Sequence, residues 1–127
     1  MSKRLNNKRV LVTQADDFMG PITLEVFAEE GASVVADTRD LTVTGACEAA
    51  VAEAGHIDVL IANLAAPTFS GIATADLGDA DFRTAYAMMV EPLHRLTRAV
   101  LPQMIERKAG KIVVYGSASA LRGMKTL

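Results

Sequence analysis

The residues able to do chemistry fall into four short stretches of the 127-residue chain. The first runs from Thr13 to Gly20, a polar turn between an apolar run and a helix-like segment. Such a turn cradles a diphosphate when its first glycine bends the chain and its second lets the backbone approach the ligand. Gln14 and Phe18 hold those places here, and only Gly20 remains. The Phe18 ring occupies volume a diphosphate needs. Asp16 and Asp17 add two carboxylates, and like charges ~4–6 Å apart cost on the order of a kcal/mol each. No nucleotide cofactor is therefore expected at this turn. The second stretch is Asp37, seventeen residues after Gly20. That is near the spacing of a carboxylate that holds a ribose hydroxyl. With the glycines gone, Asp37 is read as a turn residue or a partner of Arg39, and NAD stays as the alternative cofactor.

Asn63 with Pro67 and Phe69 forms the third stretch. Asn63 is expected to satisfy backbone groups at a strand end, and Pro67 and Phe69 to rim a pocket. Ser117 and Ser119 form the fourth. Their hydroxyls either cap a strand exit or hydrogen-bond a substrate oxygen; without a base nearby, a hydroxyl is a poor proton acceptor. Phe18 either packs under the first helix or walls a pocket. His56 and His94 lack an H-x-x-x-H pattern and Cys47 is alone, so no metal site is expected. Cys47 reads as a small apolar helix residue, and Met88, Met89 and Met104 as core or interface.

The elements that position these residues alternate. Arg9–Thr13 is a short β-branched run without polar alternation, as for a strand covered on both faces, and Ser33–Ala36, Ile57–Ala62 and Lys111–Tyr115 read as three further strands. Between the first two, Pro21 suits a first helical turn. Ile22, Val26 and Phe27 follow at helical spacing, and Gly31 suits the position just past the helix. Ala46–Ala54 reads as a second helix, and residues 64–80 as a loop. Asp79 or Asp81 is the expected cap of a long helix over about 82–108 that Pro92 should kink or divide. Leu93, Leu96, Val100, Leu101, Met104 and Ile105 give that helix an apolar stripe, and Gly110 is expected to stop it. Strands alternating with helices imply one Rossmann-like α/β domain over residues 1–127, a three-layer parallel sheet of about four strands. Ligands in such sheets bind at the carboxyl ends of the strands, which is where all four stretches lie.

Half the residues are apolar and 22% are charged, which excludes a disordered chain. No apolar run approaches the ~18 residues of a membrane span. Residues 1–10 carry +4 and the remainder, with 9 basic and 15 acidic residues, carries −6. The basic lead-in is read as a solvated approach to the first strand, and nucleic acid is not an expected partner. The lack of paired cysteines fits a reducing cytoplasm.

In order, VLVTQADDFMG, Asp37, IDVLIANLAA and RAVLPQMIERKAGKIVVYGSASAL resemble the motifs of the short-chain dehydrogenase/reductase superfamily, across nearly the whole chain. Members are about twice as long, so the chain is expected to be the amino-terminal portion of that fold. Thr13-x4-Phe18-x-Gly20 resembles the turn of the halohydrin dehalogenase branch, which has lost its nucleotide. That resemblance implies a halide or substrate pocket involving Thr13, Phe18, Gly20, Asn63, Pro67 and Ser119. It implies Ser117 as the catalytic serine, epoxide formation with halide release, and a small-molecule substrate. The branch's catalytic tyrosine follows the serine by thirteen residues, three beyond Leu127, and an arginine follows four later. The relay asparagine of the wider family falls near Met89. An NAD(P)-dependent oxidoreductase and a non-catalytic chain remain the alternatives. The resemblance also implies a homo-oligomer through the long helix. Only nineteen residues separate Asp37 from Ile57, where the superfamily usually fits two helices and a strand. One helix and an edge strand are therefore expected to be absent.

Overall fold

The computed structural model of the protein describes residues 3–67 and 71–123. Four strands, β1 (Arg9–Val12), β2 (Ser33–Ala36), β3 (Val59–Ala62) and β4 (Lys111–Val114), pair in parallel in the order β2-β1-β3-β4. The helices are α1 (Gly20–Glu29), α2 (Ala46–Ala54), α3 (Asp79–Ala85) and α4 (Glu91–Arg107). Leu11, Leu60 and Ala62 pack with Cys47 and Val51 of α2 and with Leu96, Val100 and Met104 of α4. Val10, Val12, Val59 and Ile61 point to the other face, against Leu24 and Phe27 of α1. Burial on both faces explains the lack of polar alternation in the central strands β1 and β3, whereas β2 and β4 are partly exposed. One helix joins β2 to β3, which leaves β2 at the sheet edge, as the short interval implies. An Asp40 turn starts that interval, with Asp40 Oδ1 accepting from Thr42 N at 2.9 Å and from its hydroxyl at 2.7 Å.

The long helix divides where Pro92 acts. A π-turn, Tyr86–Val90, separates α3 from α4, and Pro92 lies buried in the first turn of α4. Its ring and missing N–H cannot continue a regular helix, and the wider turn accommodates both.

Several expectations need correction. Ile22 and Val26 are exposed, and α1 turns Thr23, Leu24 and Phe27 inward instead. Leu101 and Ile105 are likewise exposed, so the buried seam of α4 is the narrower 96, 100, 104 row. Neither Asp79 nor Asp81 caps α3: Gly78 holds that place, and Asp79 is its first residue. Lys108, at φ 55°, ends α4 rather than Gly110. Gly110 is small for another reason, since a Cβ there would lie 2.4 Å from the Met104 side chain. The third strand begins at Val59, and Ile57 is buried just before it.

Candidate functional site

β1, β3 and β4 deliver their exits to one end of the sheet, and a cavity of about 650 Å³ opens there. Phe18, Pro67, Ser117 and Ser119 line it, together with Leu64, Met89 and Tyr115. The lining is largely apolar, with the hydroxyl-bearing side chains of Thr74, Tyr115, Ser117 and Ser119 as its polar members.

Phe18 does not pack under α1. It is 56% exposed and stands at φ 50°, a left-handed conformation costly for a residue with a Cβ. Gln14 is left-handed as well, at φ 44°. Hydrogen bonds within the turn help to hold it. Gly20 N donates to Asp17 O at 2.9 Å, and Asp17 N donates to Gln14 O at 3.0 Å. The Asp17 carboxylate accepts the Phe18 amide at 2.7 Å. Pro21 has no amide to offer.

Asn63 is fully buried, and its Nδ2 donates at 2.9 Å to both Gln14 O and Asp17 O. Its Oδ1 has no partner in the described structure. Gln14 Oε1 accepts the Ala65 amide at 2.7 Å, so each side of the β1–β3 crevice holds the other. Thr13 is also buried, its hydroxyl donating to Asn63 O at 3.1 Å. Gly20 approaches the turn so closely that a Cβ would meet Ala15 O at 2.4 Å. Thr13, Gly20 and Asn63 are thus not on the cavity wall, contrary to the pocket role expected of them. Their side chains or close backbone approach are used to hold the turn that presents Phe18.

Asp37 is buried away from the cavity. Its Oδ1 accepts from Arg39 Nε at 2.6 Å, and Arg39 also bridges to Glu53. Its Oδ2 is without a partner. Ser117 and Ser119 hydroxyls lie 2.8 Å apart, and the Ser119 amide donates to Ser117 Oγ at 3.3 Å. The pair thus caps the exit of β4 and also faces the cavity. Phe69 lies outside the described residues.

Sequence reasoning missed Tyr115. Its hydroxyl sits 2.5 Å from Thr23 Oγ1, across 92 residues of chain. Met89 was assigned to core or interface and lines the cavity instead. Cys47 is buried, and burial pushes its thiol pKa up, which keeps it neutral. His56 pairs with Asp58 at 2.8 Å. Among the described residues no cluster could hold a metal ion, and no helix is long and apolar enough to cross a membrane.

A parallel sheet of this order, with its cavity at the strand carboxyl ends and a serine pair at the exit of β4, defines a Rossmann-like α/β protein. A family model described as short chain dehydrogenase matches residues 24–127, and the chain belongs to that family. Oxidoreductase UcpA of Salmonella typhimurium is 27% identical over 91% of this chain and 54% of its own. Dehydrogenase/reductase SDR family member 4 of Bos taurus is 30% identical over 91% of this chain and 51% of its own. A solved structure described as a dehalogenation enzyme superposes with a TM-score of 0.83 at 29% identity, covering 95% of this chain and 58% of that one. The chain spans about half the length of the curated relatives it matches.

Proposed function

We propose that this chain carries the halide-side half of a halohydrin dehalogenase-like site, in a protein that works without a nucleotide. The observation that carries this reading is that Phe18 and Ser117 line one cavity while the turn that bears Phe18 has already committed two of its amides. A diphosphate needs free amides at that turn. The Asp17 carboxylate already takes the Phe18 amide, Asp17 O takes that of Gly20, and position 21 is proline. The similarity to a dehalogenation enzyme at 29% identity adds support.

In this reading Ser117 hydrogen-bonds the hydroxyl oxygen of a vicinal halohydrin, and Ser119 orients the Ser117 hydroxyl. The substrate's O–H proton passes to a base. The oxygen forms a bond to the neighbouring carbon, and the carbon–halogen bond breaks with its electron pair leaving on the halide. The resemblance assigns the base to a tyrosine thirteen residues after Ser117, a position past Leu127. Phe18 gives the leaving halide an apolar wall that excludes water from its side of the site.

An NAD(P)-dependent oxidoreductase is the second reading. The names of the curated relatives favour it, as does the unpartnered Oδ2 of Asp37, which a ribose hydroxyl would satisfy. Two titrations separate the readings. Bromide is expected to protect residues 15–20 and 115–120 from hydrogen exchange, and NADH to give no saturable fluorescence change. Saturable NADH binding at micromolar concentration, without bromide protection, overturns the proposal.

A further inference from the structure

We propose that Tyr115 and Thr23 form a positioning strut that sets the distance between the Phe18 wall and the serine end of the cavity. The inference rests on the cavity being the functional site.

Tyr115 leaves the end of β4 two residues before Ser117, and Thr23 is buried in the first turns of α1, five residues after Phe18. Thr23 Oγ1 lies 2.6 Å from Met19 O and 2.5 Å from Tyr115 Oη. A threonine hydroxyl has one proton, and the Met19 carbonyl can only accept. Thr23 therefore donates to Met19 O, and Tyr115 must donate to Thr23. The direction of the chain is set: Tyr115 to Thr23 to Met19. It ends on the residue next to Phe18 and begins two residues from Ser117.

Two consequences follow. The segments that form the opposite walls of the cavity belong to elements remote in sequence, and in this part of the site a side-chain bond joins them. In addition, Tyr115 spends its only proton away from the cavity. Its ring lines the cavity while its donor is committed to α1, which leaves the serines as the hydroxyl donors at that end.

Tyr115→Phe keeps the ring and removes the bond, Thr23→Val keeps the shape and removes the relay, and Thr23→Ser keeps the hydroxyl. Bromide-dependent hydrogen exchange at residues 15–20 and 115–120 reads the site, and thermal melting reads the fold. Y115F and T23V are each expected to weaken bromide binding about three- to tenfold, the range for one lost hydrogen bond. The double variant should weaken it no further, since both break the same chain. T23S should bind as the parent does. Y115F or T23V binding within twofold of the parent overturns the strut, as does a T23S loss as large as that of T23V. If the parent itself shows no bromide protection, the proposed function fails. The strut is then judged by whether Y115F raises basal exchange at both 15–20 and 115–120; no change there overturns it.

Discussion

Asn63 holds the main chain of Gln14 by a 2.9 Å bond from Nδ2 to the carbonyl oxygen, and Gln14 answers through its own side chain, two residues past Asn63, at the Ala65 amide. The two bonds cross the crevice between β1 and β3 in opposite directions. They hold a turn that contains two left-handed non-glycine residues, each conformation costing on the order of 1 kcal/mol or more. The turn therefore keeps its shape through buried polar contacts, where glycines would have kept it by freedom of φ.

Replacing Asn63 tests this latch. Asn63→Ala leaves the Gln14 and Asp17 carbonyls without that donor, and a loss of about 1–3 kcal/mol is expected. Asn63→Asp should cost more, although it is nearly isosteric, because a carboxylate would face two carbonyl acceptors in a buried position. Urea unfolding of the three proteins checks the order; N63D equal to or more stable than N63A contradicts the assignment.

Arg39 matters for Asp37 more than for itself. The pair lies 2.6 Å apart with the carboxylate buried, whereas Arg39 is partly exposed. Removing one partner of a fully buried pair costs ~3–5 kcal/mol, and partial exposure reduces this to about 1–3 kcal/mol for Arg39→Met. Adding Asp37→Asn should recover part of the loss. Denaturation of R39M and of the double variant measures it, and an R39M protein as stable as the parent would show the pair to be immaterial.

Stability should fall in acid in a defined window. The Arg4 side chain holds the Glu30 carboxyl below its usual value of 4.5, Arg39 does so for Glu53, and the Thr42 hydroxyl holds the Asp40 carboxyl below its usual 3.8. A carboxyl with a depressed folded pKa binds protons less readily when folded, so its contribution is present above the unfolded pKa and is lost as pH falls through the folded one. Melting temperature is thus expected to be insensitive to these groups at neutral pH and to decline below about pH 4.5. Arg4→Gln should flatten the Glu30 part of that decline. A melting temperature that rises on acidification through this window would contradict the sign.

The long helix should mediate association. Phe82 and Tyr86 stack with centroids 6.4 Å apart on an exposed surface, and Val90 and Ile105, further along the same divided helix, are exposed as well. Val113 and Val114 of β4 are exposed as well, on a strand with one described neighbour. Surfaces of this kind promote contact between copies. The 127-residue chain is expected to self-associate in sedimentation experiments, and Phe82→Glu with Ile105→Glu to reduce this. A monodisperse monomer that melts cooperatively would refute it.

The four strands, their parallel pairing and the division of the long helix at Pro92 were legible in the sequence, but the strand order was not. The β-branched run of β1 is buried, and Pro92 falls in the first turn of α4, where its missing N–H is tolerated, whereas Pro102 lies inside the same helix without ending it. That a single helix joins β2 to β3 was legible from the nineteen-residue interval between Asp37 and Ile57, set against the family pattern. The loss of glycine at positions 14 and 18 was legible too, because a residue with a Cβ cannot play glycine's part. Which apolar residues of α1 and α4 face the sheet was not legible. Ile22 and Ile105 are as apolar as Leu24 and Val100, and only packing chooses among the flanks of a helix. Nor did the sequence distinguish the residues that line the cavity from those that brace it. Thr13, Gly20 and Asn63 stand within five positions of wall residues, yet they are turned into the sheet and the turn. Tyr115 and Thr23 meet across 92 residues. A motif records which chemistry lies near a strand end, but the direction of each side chain depends on partners that the fold brings from elsewhere in the chain.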